Sequence, residues 1–276
     1  MCDFNSIRRT RQRETMTRLR DTDAEKRAQS GRSPDFLEAL ARGLSILTAF
    51  DGSRPQMTLS DVARAVDLPR ATVRRALYTL EQLGYLESDG KLFRLTPQVM
   101  GFAGAYLGSA GNAAALQAAC DTLCQETDEA CSAAVLAGDF AVMVAHSSPP
   151  RFLSTAPGIG FRVPAFCSAL GRVLLAGNPA AIDDLQLQAL TPRTVTDRSE
   201  LTAIIARAAK DGYALSDQEA ELGFRSLAVP VRRFDGRLVA ALNIGIRIER
   251  ATPKQMRETF LPLLLTAASR LAGLVV

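Results

Sequence analysis

The sequence predicts an α+β protein in two parts, a small helical head ending in a β-hairpin and a larger domain of mixed helices and strands. Three observations predict it. Apolar residues recur at helical spacing over residues 35–83 and give way to two short strands across Asp89-Gly90. A glycine-punctuated helical stretch runs over 97–129. From 130 onward, strand-like runs such as CSAAVLAG, FAVMVAHS, RSLAVPVRRF and RLVAALNIGIR mix with helical ones.

The bulk properties bound the function. The 276 residues suffice for two ordinary domains, and 47% hydrophobic with 22% charged residues is a globular composition. No apolar run reaches the ~18 residues a membrane span needs, and the arginine-rich N-terminus lacks a secretory apolar core, so a cytoplasmic protein without a membrane partner is expected. The five cysteines (Cys2, Cys120, Cys124, Cys131, Cys167) are an odd count in a chain with ample core, which argues against a disulfide framework. Their spacing fits no common zinc pattern and His146 is the one histidine, so neither metal nor cofactor is expected. Residues 1–110 hold 17 Lys/Arg against 13 Asp/Glu, while the remainder balances at 16 and 16. The whole excess of +4 therefore lies in the first part, as suits a basic module facing a polyanion.

Residues 1–33 are polar and aperiodic and read as a flexible basic tail; Met16 offers a second start within it. In DFLEALARGLSILTAF, Phe36, Leu40, Leu44 and Leu47 share a helical face with Leu37 beside them. DGSRPQ breaks the chain. TLSDVARAV opens on Thr58 and Asp61 in a capping-box pattern and carries Leu59, Val62, Ala63 and Val66 as its stripe. DLP is a tight turn, and RATVRRALYTLEQLG is a third helix stopped by Gly84. YLESDGKLFRLT is the hairpin. Helices are expected at PAFCSALGRVLLAG, RSELTAIIARAAKDG and over the C-terminal stretch, bent near Pro262.

On a wheel of about 100° per residue, Arg70, Ala71, Arg74, Arg75 and Tyr78 fall on one arc of the third helix, opposite Val73, Ala76, Leu77 and Leu80. Two helices, a tight turn, a cationic helix and a hairpin wing make a winged helix-turn-helix, over residues 34–96, whose third helix enters the major groove. Arginine forks onto guanine or clamps phosphate. Small Ala71 permits close approach to a base edge, Thr72 can bond a phosphate, and Lys91 beside the turn can reach the flanking backbone. Which arginine reads a base and which holds phosphate stays open.

This order of elements resembles the IclR family of bacterial transcription regulators. The resemblance runs from ALARGLSILTAF through LSDVARAVDLPRATVRRALYTLEQLGYLE, then PAFCSALGRVLLAG, TPRTVTD, GYALSDQEAELGFRSLAVPVR and GRLVAALNIGIR, over about 35–275. ALARGL, TPRTVTD and the DQE-to-RSLAVPVR stretch are most similar to its PcaR/PobR-like branch, which regulates aromatic-acid breakdown. The resemblance implies a helical linker over 97–129 and a GAF-like α/β effector-binding domain over 130–276. It implies a small organic acid effector, a palindromic double-stranded DNA operator, and a homodimer or homotetramer. It places effector contacts at Cys167, Ser168, Ala169, Asp217, Glu219, Ser226, Asn243 and Gly245; Asn243 and Gly245 stand where many relatives have small hydroxylated residues.

The residues themselves partly agree. Small residues after Pro164 open a helix whose free N–H groups would welcome a carboxylate. Ser226 and Asn243 are polar in apolar strands and need a partner if buried, either a ligand or a structural hydrogen bond. Asp217 and Glu219 sit awkwardly beside an anion; they bond its hydroxyls, act through water, or pair with Arg225. Phe152, Phe161 and Phe166 serve either a ligand's ring or the core. Two other readings compete. A hydrolase would use Ser168, His146 and Asp217, but no nucleophile-elbow pattern surrounds Ser168, so no enzyme is expected. A ligand-independent architectural or oligomerisation protein would bind DNA without an effector.

Overall fold

A computed structural model describes residues 33, 35–109, 112–150 and 158–275. The tail expected over 1–33 lies, but for Ser33, outside the described residues, as does Phe152. The chain divides into two compact units between Gly101 and Phe102.

The first unit holds α1 (Glu38–Leu47), β1 (Gln56–Thr58), α2 (Leu59–Ala65), α3 (Arg70–Gln82), β2 (Leu86–Ser88) and β3 (Leu92–Leu95). The capping box at α2 is formed in full: Thr58 Oγ1 accepts the Asp61 N–H, and Asp61 accepts the Thr58 N–H. Asp67 adopts a left-handed φ of 49°, letting the Leu68 N–H return to Ala63 O and turning the chain into α3. At the other end of α3, Gly84 takes φ 80° and the Tyr85 N–H bonds Leu80 O, the same closure with the residue best suited to it. In the hairpin, Asp89 Oδ1 accepts the Lys91 and Leu92 N–H groups at 2.9 and 2.8 Å. Ile46, Val62, Val73, Leu77, Leu80 and Leu86 form the core.

Two expectations change. The three-residue β1 pairs with β3, making a three-stranded sheet in the order β1-β3-β2, where the sequence suggested only a break followed by a capped helix. Most of the α1 stripe faces outward: Phe36, Leu37, Leu40 and Leu44 are exposed, whereas Leu47 packs on the core and Ile46 is the residue the helix buries. Periodicity finds an oily face but cannot say what covers it.

The second unit is built on an all-antiparallel six-stranded sheet, order β6-β5-β4-β9-β8-β7. Its strands are β4 (Ala130–Ala137), β5 (Phe140–Ser147), β6 (Arg162–Pro164), β7 (Ala214–Asp217), β8 (Phe224–Arg232) and β9 (Leu238–Arg247). Helices thus cover a mixed α/β unit whose described strands all pair antiparallel. Helix α4 (Met100–Ser109) spans the division, and α5 (Ala113–Thr127) follows it. Alternation along the strands makes two faces. Leu227, Val229, Leu242 and Ile244 pack with Leu116, Cys120 and Leu123 of α5 and with Leu264 and Leu271 of the closing helix. Ala134, Ala141, Ala228 and Ala241 pack on α6 (Ala169–Ala176) and α7 (Arg198–Asp211). The closing stretch widens into a π turn, Met256–Phe260, just before Pro262. Proline's missing N–H and its clash with the carbonyl four residues back account for the irregularity.

Candidate functional site

The outer face of α3 is the first site. Arg70, Ala71, Arg74, Arg75 and Tyr78 are exposed, Thr72 is half-buried, and Val73, Leu77 and Leu80 are buried beneath them. The other described arginines of this unit each sit beside an acid: Arg42 with Glu38, Arg54 with Asp51, Arg64 with Asp61, and Arg94 with Glu87. Among the described residues no carboxylate pairs with Arg70, Arg74 or Arg75. The three unneutralised arginines among the unit's described residues thus share one helix face. Lys91 stands exposed at the hairpin turn.

The second site is a cavity of about 730 Å³ in the second unit, on the α6 side of the sheet. Its floor carries two rows of residues paired across strands. His146, Ser132 and Asn243 are successive partners on β5, β4 and β9. Gly245, Ser226 and Ser216 are successive partners on β9, β8 and β7. Phe161, Leu170, Phe224 and Ile246 supply apolar wall. Gly245 leaves room for a ring: a Cβ there would stand 2.5 Å from Phe224, which would have to shift.

His146 reaches this floor through a β-bulge. Ala133 pairs with Ala145 but Ala134 with Met143, so Val144 is an extra residue. Val144 and Ala145 both pack toward α5, and the alternation resumes with His146 on the cavity side. Its Nδ1 lies 2.9 Å from Ser132 Oγ. Burial holds its pKa below the ordinary value, and its Nε2 is buried without a partner among the described residues. Asn243 Oδ1 is in the same state.

Of the effector contacts expected from the sequence, Ser168, Ser226, Asn243 and Gly245 line the cavity. Four do not, each for a visible reason. Cys167 is fully buried with its Sγ turned to Pro164 O, and burial pushes its thiol up to about 12. Ala169 packs in the core with Ala134 and Ala141. Glu219 forms a buried two-pronged pair with Arg172, both bonds 2.6 Å. Asp217 is held by Arg225 at 2.8 Å and by Arg193 at 3.5 Å. Arg225 was foreseen as a partner for the pair; Arg172, read only as part of a helix, was not. Phe161 lines the cavity, whereas Phe166 is core.

The helix after Pro164 also differs from expectation. A short 3-10 turn, Ala165–Cys167, precedes α6, and Ser168 caps α6 by accepting the Gly171 N–H at 3.1 Å. One N–H offered to a carboxylate is therefore already taken. The same bond leaves the imagined triad unassembled: Ser168 caps a helix, His146 bonds Ser132, and Asp217 bonds arginines. Sequence reasoning misses Ser132, Ser216 and Phe224 as lining residues, and weighs His146 for metal binding and catalysis against a surface or satisfied histidine, not as a cavity residue. Two-residue alternation on β4 hints at Ser132; the bulge hides His146.

The comparisons agree with this architecture. Residues 39–90 match the model of the IclR helix-turn-helix domain, and residues 104–272 that of the bacterial transcriptional regulator IclR C-terminal domain. The chain is 38% identical to the Pca regulon regulatory protein of Pseudomonas putida, over 85% of this chain and 83% of that one. It is 35% identical to the p-hydroxybenzoate hydroxylase transcriptional activator of Acinetobacter baylyi, over 88% and 94%. Among solved structures, it superposes on an IclR homolog from Microbacterium hydrocarbonoxydans complexed with 4-hydroxybenzoate, with a TM-score of 0.70, 25% identity, and coverage of 85% and 98%. The basic winged head, the cavity-bearing second unit and these matches place the chain in the IclR family of bacterial transcriptional regulators.

Proposed function

We propose that this regulator controls genes of aromatic-acid catabolism, binding a palindromic operator through α3 and sensing a small aromatic acid in the cavity. The observation that carries the DNA contact is the segregation of charge: among the described residues of the first unit, the arginines left without an acid partner are Arg70, Arg74 and Arg75. Solvated surfaces mix and pair their charges; a face left cationic suits phosphate and guanine. Ala71, Thr72 and Tyr78 share that helix, and Lys91 flanks it on the wing. Residues 34–96 form the DNA-binding head, 97–129 the connection, and 130–276 the sensor. The work is done in the cytoplasm, without catalysis.

For the effector, the cavity has the size of a small-ligand site. Its lining includes Arg162, a cation that stacks over Phe140 at 4.2 Å and has no carboxylate partner among the described residues. The relatives named for the Pca regulon and for p-hydroxybenzoate hydroxylase, and the homolog holding 4-hydroxybenzoate, support an aromatic acid. The exposed Leu37, Leu40 and Leu44 on α1 support self-association, since a dimer covers such a stripe and presents two recognition helices.

The test is binding of the full chain to its own promoter region by fluorescence anisotropy, at several salt concentrations, with and without hydroxybenzoates. Sequence-specific binding that falls steeply with salt and changes with the acid is the expected result. Equal affinity for a scrambled duplex overturns the operator reading; an acid without effect on DNA binding or melting temperature favours the effector-free architectural protein.

A further inference from the structure

We propose that Gln117 is the residue that carries filling of the cavity to α5, and through that helix to operator binding. The inference rests on the cavity being the effector site, and it holds whatever the chemical class of the effector. Gln117 does not line the cavity. It acts through His146 and is a positioning residue.

The link is built at one Cα. The His146 ring lines the cavity, while the N–H and C=O on either side of the Cα that bears it are both held by the Gln117 amide. A ring displaced by a ligand turns its own Cα, and those two main-chain groups turn with it. The amide's orientation is settled by a third partner. Its nitrogen donates one hydrogen to the His146 carbonyl and the other to Asp121 Oδ1, one turn along α5, at 2.9 Å; its oxygen accepts the His146 N–H. The opposite orientation would aim the amide oxygen at a carboxylate and a carbonyl at once.

Leu116, Cys120 and Leu123 also hold α5 against the sheet, but by burial, which is non-directional. Gln117 adds bonds that fix where this turn of the helix stands relative to His146. On the strand side, Val144 is the extra residue of a bulge, where the ladder is locally disrupted, so His146 sits beside a point at which β5 can adjust. A shift of its peptide is therefore delivered to the turn from Gln117 to Asp121. That turn belongs to the helix next in the chain after α4, which spans the division between the units. A ligand drives the change to the extent that it binds one ring position more tightly than the other.

The test measures the coupling itself, as the ratio of operator affinities without and with saturating acid. The full chain is titrated by anisotropy onto its own promoter duplex, with 4-hydroxybenzoate and 3,4-dihydroxybenzoate as probes. Two-site coupling of this kind is typically about 5–150-fold, and Gln117→Leu should bring the ratio to within about 2-fold of unity. Acid affinity of the free chain, read by calorimetry, and operator affinity without acid should each change by less than about 3-fold, because Gln117 touches neither ligand. Leu264→Val, a core change on the closing helix, should keep the wild-type ratio. A ratio that survives in Gln117→Leu, or one lost equally in Leu264→Val, overturns the proposal while leaving an acid sensor standing. A wild-type ratio of unity with acid bound overturns it too. If neither acid binds the wild-type chain, the aromatic-acid reading fails and this inference with it. Should Gln117→Leu not fold, hydrogen exchange in the intact chain decides. Acid should change exchange of the His146 amide by about 3-fold or more beyond any change at the core amide of Leu242, and equal changes at the two refute the link.

Discussion

Gln117 on α5 and His146 on β5 grip each other through two hydrogen bonds. Gln117 Nε2 donates to the His146 carbonyl at 2.9 Å, and the His146 N–H donates to Gln117 Oε1 at 3.1 Å. Strand β6 pairs with β5 as far as Val142, and Gly160 and Phe161 bond Met143, so farther along this edge His146 needs other partners. The glutamine supplies them, and it ties the cavity floor to the helix that follows the division between the units. Gln117→Leu leaves both main-chain groups unpaired. It should lower stability by about 1–3 kcal/mol, read as a reduced urea midpoint at unchanged slope.

The arginines of α3 should act on DNA and not on folding. Arg70→Ala, Arg74→Ala and Arg75→Ala should leave the melting temperature unchanged, since no described residue pairs with them. A base-reading arginine should cost about 1–3 kcal/mol of operator affinity and relax specificity at one position. A phosphate-holding one should weaken all sequences alike and reduce the salt slope by about 0.9. Anisotropy titrations across salt separate the two roles; a variant that melts early instead places its arginine in the fold.

The Arg172–Glu219 pair should behave as structure. Both side chains are buried, and Arg172 also donates to Phe166 O at 3.0 Å. Glu219→Ala strands a buried guanidinium and should cost about 3–5 kcal/mol, measured by thermal unfolding. Ligand binding in whatever fraction stays folded should persist, because neither residue lines the cavity.

Gly245→Val should close the cavity. The added side chain meets the Phe224 ring, which lines the cavity and would have to move. Overpacking costs about 1–3 kcal/mol, and effector affinity should fall by more than stability does. Calorimetry on the folded variant checks this; unchanged affinity would mean the ring has another place to go.

His146 sets a pH dependence. Burial depresses its folded pKa below the ordinary 6.5. Between the folded value and 6.5 the unfolded chain binds the extra proton, so stability rises with pH there. The contribution is complete above about pH 6.5 and is lost as pH falls through the folded value. Proton NMR of the single histidine should show a midpoint below 6.5, and His146→Gln should flatten the stability profile in that window. A midpoint at about 6.5 would show that the ring is solvated, and a higher one that an anion faces it.

Much of this was legible because it is local. The Thr58–Asp61 box, the Asp89-Gly90 turn, the Gly84 stop and the α3 arcs need only residues a few positions apart. The site in the second unit was legible only in part. Ser226, Asn243 and Gly245 alternate on strands and announce a face, but Glu219 looks like a ligand contact until Arg172, far along the chain, is seen to claim it. The bulge at Val144 reverses the parity of β5, and no two-residue alternation places His146 correctly without it.

By itself the amino-acid order determined the winged head, its cationic helix and the alternation of helix with strand in the larger unit. Each follows from spacing along the chain and from the short-range geometry of turns and caps. Tertiary structure alone decided which polar groups are spent on one another and which are left facing the cavity. Hydrogen-bond partners in the sheet come from strands distant in sequence, so satisfaction or want of a partner is a property of the folded neighbourhood. Asn243 shows the difference: its polarity can be read from the chain, but its unclaimed oxygen appears only when the surrounding strands are in place.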